Sequence, residues 1–150
     1  MEIPTSPHPL PIIVVDDNPV DVSLIRWVLT AHALADTLHV IGNGDEAWDY
    51  VQQLANEQHP ASPMLLLLDL HLPQRDGREI LQCVRALPHG SDIRVVVVTS
   101  STDLTERREA LALGADVYFI KPYHLNEFMQ LGALIKDLAW RGLPACLQNN

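Results

Sequence analysis

Met64-Leu65-Leu66-Leu67-Leu68-Asp69-Leu70-His71-Leu72-Pro73-Gln74-Arg75-Asp76-Gly77 is the stretch on which the fold turns. Five apolar residues in a row, bounded by turn formers, read as a strand buried on both faces of a parallel sheet. Asp69 ends that run, where packing gives a carboxylate no reason to be. The carboxyl ends of strands are where open α/β sheets hold their ligands. Asp76-Gly77 then opens an amphipathic segment carrying Ile80, Leu81, Val84 and Leu87, which Pro88 stops.

The same grammar repeats on either side. Pro11-Ile12-Ile13-Val14-Val15 is a second buried run, and it ends in Asp16-Asp17. Asn18 suits an N-cap and Pro19 a first helical residue, ahead of Val22, Leu24, Ile25, Val28 and Leu29 at helical spacing. Leu38 to Ile41 reads as a short strand. Gly42-Asn43-Gly44 then makes a turn, and Asp45 is placed to cap a helix through Ala47, Trp48, Val51 and Leu54. His59 to Pro63 reads as a loop. Ile93 to Val98 is the fourth strand and ends in Thr99-Ser100-Ser101. Asp103 caps a helix running to Leu113, with Gly114 as its stop. Val117 to Ile120 is the fifth strand and ends in Lys121-Pro122, and a last helix covers about Asn126 to Trp140. Five alternating strand-helix units predict one doubly wound parallel sheet. The division is an N-terminal arm over 1–10, one domain over 11–140 and a tail over 141–150.

Totals narrow the chemistry. A length of 150 residues is a one-domain length, and 47% hydrophobic residues supply a core. A net charge of -9 disfavours nucleic acid and anionic membrane as partners. No apolar run approaches the ~20 residues of a membrane span. The first residues, Met1 to Pro11, carry neither the basic region nor the apolar core of a secretion signal. Two cysteines, Cys83 and Cys146, fit a reducing cytoplasm, and Cys83 falls on an apolar helical stripe, as a core thiol would.

In a parallel sheet the strand-end residues Asp16, Asp17, Asp69, Thr99, Ser100 and Lys121 all lie along one edge. Carboxylates ~4 Å apart at an effective dielectric near 20 repel by about 4 kcal/mol per pair. A hard divalent cation such as Mg2+ relieves that, and keeps room for phosphate oxygens. A hydroxyl and a lysine beside it suit a phosphoryl group, with a carboxylate as nucleophile. Taken singly, each residue has an ordinary reading. Asp16-Asp17 suit a helix cap, Thr99 to Ser101 a loop, Lys121 a solvated charge and Tyr118 half-buried packing.

The joint order is more specific. Asp-Asp after the first strand, Asp after the third with Pro four residues on and Asp-Gly beyond, Thr-Ser after the fourth and Lys-Pro after the fifth resemble the receiver domain of two-component response regulators. The resemblance covers about 11–140. Within it the Asn43-Gly44-Asp45-Glu46-Ala47 turn, the spacing around Asp69 and the tail with Trp140 look most like the single-domain, phytochrome-associated regulators.

That resemblance implies a flavodoxin-like (βα)5 fold with strand order 2-1-3-4-5. It implies Asp69 as phosphoacceptor, and Mg2+ held by Asp17, by Asp16 largely through water, by Asp69 and by the backbone carbonyl of His71. Thr99 and Lys121 would contact the phosphoryl group, Tyr118 would turn inward when Thr99 moves, and the Lys121–Pro122 bond would be cis. The implied partners are a sensor histidine kinase, a bacteriophytochrome among the candidates, and a histidine phosphotransfer protein. With no second domain in these residues, the expected output is protein contact rather than catalysis.

The last helix has an unusually wide apolar face. Leu131, Leu134, Leu138 and Trp140 are therefore expected at a homodimer contact, extended by Leu143 and Leu147. Three rivals are weaker. A haloacid-dehalogenase-like phosphatase needs a second Asp where His71 stands, and a flavin-binding flavodoxin needs a phosphate cradle where Asp16-Asp17 stand. A degenerate receiver, acting as a binding module without phosphorylation, would not need the intact acidic set.

Overall fold

The computed structural model describes residues 9–56 and 63–141. The loop expected over His59 to Ser62, the tail residues Leu143, Cys146 and Leu147, and most of the N-terminal arm lie outside these. Five strands, β1 (Ile12–Val15), β2 (Leu38–Ile41), β3 (Met64–Leu68), β4 (Ile93–Thr99) and β5 (Val117–Ile120), form one parallel sheet in the order β2-β1-β3-β4-β5. The helices are α1 (Pro19–Ala31), α2 (Gly44–Asn56), α3 (Gly77–Ala86), α4 (Leu104–Ala112) and α5 (Leu125–Arg141).

Alternation along the strands builds two cores. Ile13, Val15, Leu66, Leu68, Val95 and Val97 face Val51, Ile80, Leu81, Val84 and Ala110. Ile12, Val14, Leu65, Leu67, Val96 and Val98 face Ile25, Val28 and Leu29 of α1 and Phe128, Leu131 and Ile135 of α5. The continuous apolar runs of β1, β3 and β4 follow from this, since both faces of those strands are covered.

The second core corrects the expected dimer face. Leu131 and Leu138 are fully buried and Leu134 is half-buried against the same core; of the four residues only Trp140 is exposed, at 44%. The wide apolar face of α5 has an internal cause: the helix packs on the sheet and on α1 at once, so two stripes find partners within the chain. Leu10, placed in the arm by the sequence, is tied down, its N–H donating to Ala139 O at 2.8 Å.

Local chemistry sets the helix ends. Asn18 Oδ1 accepts the N–H groups of Val20 and Asp21 at 2.9 and 3.3 Å, so α1 starts at Pro19. For α2 the cap is Asn43 rather than Asp45: Asn43 Oδ1 accepts the Glu46 N–H at 2.8 Å. Asp76 and Asp103 cap α3 and α4. Leu87 falls just past α3 in extended backbone, as the residue before a proline prefers. Gly114, at φ +108°, ends α4 in a Schellman arrangement, with Ala115 N–H on Ala110 O and Gly114 N–H on Leu111 O.

The end of the sheet remote from Asp69 is stapled by Arg85. Its guanidinium donates to the carbonyls of Gly90, Ile93 and Gly114 at 2.6 to 2.9 Å and to Asp116 Oδ2 at 3.1 Å. Asp116 Oδ2 also accepts the Val95 N–H at 2.8 Å. One side chain thus joins α3, the start of β4 and the turn between α4 and β5.

Candidate phosphoacceptor and metal site

Register places the site. Val15 pairs with Leu68, Leu68 with Val97, and Thr99 with Ile120. Asp16, Asp69 and Lys121 therefore follow directly on paired residues. The backbone ladder carries on one step beyond them: Asp69 N–H donates to Val15 O at 2.9 Å and Lys121 N–H to Thr99 O at 2.7 Å. Asp16, Asp69 and Thr99 are the buried polar residues among those described, and all three are here.

Each buried acid is held at both oxygens. Asp16 Oδ1 accepts the Asn18 N–H at 2.9 Å, and Asp69 Oδ1 accepts the His71 N–H at 3.0 Å. Their Oδ2 atoms both lie against the Lys121 ammonium, at 2.9 and 3.0 Å. A third carboxylate joins them, Asp21 Oδ2 at 2.7 Å from Lys121 Nζ. Burial alone would lower the lysine pKa, but the bonds to Asp21 and Asp16 and the field of Asp69 outweigh it and hold Lys121 above its usual range. Burial raises Asp16 above the ordinary carboxylate value, against the pull of Lys121 and the Asn18 N–H.

Oxygens of Asp16, Asp17 and Asp69 lie within 4.8 Å of one another, with Asp17 exposed at the mouth. Three hard oxygen donors on an accessible edge fit a small divalent cation such as Mg2+ or Mn2+.

Beyond the acids, a chain of bonds runs outward through Ser101. Thr99 Oγ1 accepts the Ser101 N–H at 3.3 Å, and Tyr118 OH donates to Ser101 O at 3.2 Å. The two residues expected to move together thus meet on one residue, Ser101, at its N–H and its carbonyl. His71 Nε2 lies 3.2 Å from Glu106 Oε2, tying the loop after β3 to α4. Arg78 reaches Asp76 at 2.9 Å and also Glu109 of α4. The Arg78 bond holds the Asp76 carboxyl below its usual range. Lys121–Pro122 is trans rather than cis, as are all described peptide bonds; trans is the lower-energy isomer for X–Pro by about 0.5–1 kcal/mol.

The sequence profile of the response regulator receiver domain matches residues 12–132. The chain belongs to this family. Among similar proteins, response regulator Rcp1 of Synechocystis is 30% identical over 123 residues, 82% of this chain and 84% of that protein. BaeR, a transcriptional regulatory protein of Escherichia coli, is 36% identical over 143 residues, 95% of this chain but 53% of that longer protein. The phosphorylated cyanobacterial phytochrome response regulator RcpA superposes with TM-score 0.76 at 28% identity, covering 91% of this chain and 98% of that one. A Mn2+-bound form of Rcp1 superposes with TM-score 0.73 at 29% identity, covering 91% and 100%.

Asp16, Asp17, Asp69, Thr99 and Lys121 lie along one edge of the sheet, as their positions at strand ends predict. Asp21 and Glu106 were not anticipated. Asp21 sits in the first turn of α1, which starts at the carboxyl end of β1, so its neighbourhood was legible though its rotation toward Lys121 was not. Nothing in the sequence around Glu106 points to His71. Among the described residues, no helix is long and apolar enough to cross a membrane.

Proposed function

We propose that this receiver accepts a phosphoryl group on Asp69 from the phosphohistidine of a cytoplasmic sensor histidine kinase. A carboxylate oxygen of Asp69 forms the P–O bond as the P–N bond breaks, and the leaving imidazole keeps the electron pair and takes a proton. A divalent cation, Mg2+ in this reading, held by Asp16, Asp17, Asp69 and the His71 carbonyl, would supply positive charge opposite the equatorial phosphoryl oxygens. Lys121 pairs with one of those oxygens and Thr99 Oγ1 donates to another. Thr99 thereby leaves the Ser101 N–H, and Ser101, whose carbonyl also holds Tyr118 OH, shifts with it. The output is a population shift of α4, β5 and α5, read by protein contact rather than by turnover of a substrate.

The observation that carries this reading is the pairing of Asp69 with both a buried lysine and two further carboxylates. Likeness to Rcp1 and RcpA favours a bacteriophytochrome as the kinase, with a histidine phosphotransfer protein as an alternative donor or acceptor. Homodimerisation stays within the reading, resting on Trp140 and not on the buried Leu131 and Leu138.

The test is incubation with acetyl phosphate and Mg2+ followed by intact mass. Wild type gains one phosphoryl group, Asp69→Asn gains none, and chelation abolishes the gain. A gain in both proteins assigns the wrong aspartate, and a gain in neither leaves a binding module without phosphorylation.

A further inference from the structure

Lys121 donates to three carboxylates, and that is all the N–H capacity an ammonium has. Two of the three, Asp16 and Asp69, belong to the acidic cluster that fits a cation, and Asp21 does not. In this arrangement the lysine and a metal ion draw on the same two carboxylates. The lysine side chain is only 7% exposed, so an ammonium released by Asp16 and Asp69 cannot simply turn to water. Asp21 supplies the alternative. It is the shortest of the three contacts and is fixed from a different element, the first turn of α1, whose Asp21 N–H is itself held by Asn18.

We propose that Asp21 is a positioning residue that keeps Lys121 paired while Asp16 and Asp69 turn to the metal, and so sets the affinity of the site for divalent cations. Removing its charge leaves the lysine bound to the metal's own ligands, where it opposes the cation on two counts, by occupying their oxygens and by like charge. Asp21 acts through Lys121, not as a ligand. This role rests on the metal-binding reading given above.

Binding of Mn2+ to the full chain, followed by loss of the free-ion EPR signal, tests it without any phosphorylation step. Asp21→Asn is expected to weaken Mn2+ about tenfold, equivalent to ~1.4 kcal/mol. Asp21→Glu, which keeps the charge on a longer stem, is expected to stay within about threefold of wild type. A double-mutant cycle separates the mechanism from plain electrostatics: in a Lys121→Met background, Asp21→Asn is expected to change Mn2+ affinity less than about twofold.

Unchanged affinity in Asp21→Asn overturns the proposal. So does an equal loss in the Lys121→Met background, which would make Asp21 a direct contributor of charge. A wild type that binds no Mn2+ at millimolar ion removes the metal site and this role together. Phosphoryl uptake on Asp69 is scored separately by mass.

Discussion

Gly77→Ala tests how tightly the backbone closes around Asp69. Gly77 begins α3, and its N–H donates to Leu70 O at 2.9 Å. A Cβ there would lie 2.4 Å from Asp69 O and 2.7 Å from Leu70 Cα. Both are main-chain atoms, and comfortable contacts between carbons begin near 3.5 Å. The chain must therefore part by about 1 Å at Asp69, the proposed nucleophile. Gly77 does not have positive φ, so its backbone conformation is open to alanine. Without the clash, alanine would stabilise the chain by ~0.4–1 kcal/mol through the unfolded state. With it, overpacking of ~3 kcal/mol dominates. The net loss is about 2 kcal/mol, or a fall in Tm of ~4–8 °C for a chain of this length. Phosphoryl uptake should slow by more than about tenfold, because an ångström of misplacement at a reacting atom is worth up to ~100-fold. Thermal melts by circular dichroism and phosphorylation time courses by mass supply both numbers. An unchanged or higher Tm refutes the reasoning, since only the clash gives the effect its sign.

Two further perturbations address ion pairs outside the acidic cluster. Asp76 has its pKa lowered chiefly by Arg78, so its ionised pair contributes stability above the unfolded value of about 3.9 and loses it as pH falls. Asp76→Asn keeps the cap but not the charge. Its Tm should lie below wild type at neutral pH and converge on it as pH falls below about 3.9; a gap that does not vary with pH would leave the ion pair without effect. Arg85→Met removes the staple and leaves Asp116, about one-fifth exposed, without its cation. A loss of ~2–3 kcal/mol in urea unfolding is expected, while Mn2+ binding at the other end of the sheet stays within about twofold. A chain as stable as wild type would show that the five bonds are replaced by water.

What the sequence disclosed followed from geometry that needs no side-chain detail. Asp16, Asp69, Thr99 and Lys121 each close a strand, and a parallel sheet brings strand ends to one edge whatever the packing. The strands were legible for the same reason, since residues buried on both faces leave unbroken apolar runs. Helix rotation was less legible. The leucines of α5 showed a wide apolar face, but not that α1 covers part of it, because that depends on how two helices share one side of the sheet. Asn43 and Asp45 are both good caps, and only the path of the turn after β2 chooses between them. Helix α4 buries little beyond Ala110, so its apolar spacing said where it runs but not what holds it; a hydrogen bond from His71 and an ion pair from Arg78 do.

The Arg85 staple also decides how α4 can travel. Its carboxyl end is nailed through Gly114 O to a side chain rooted in α3, while its amino end is held by a surface histidine. In the population shift proposed above, such a rod would swing about Gly114 rather than slide, and the Arg78–Glu109 pair would have to give as it does. Nine residues give a lever of ~14 Å, so a ~2 Å pull at Leu104 turns the helix by roughly 8°. The exposed flank bearing Leu111, only three residues from Gly114, sweeps far less than the tip, so the stroke a partner feels depends on where along the rod it grips.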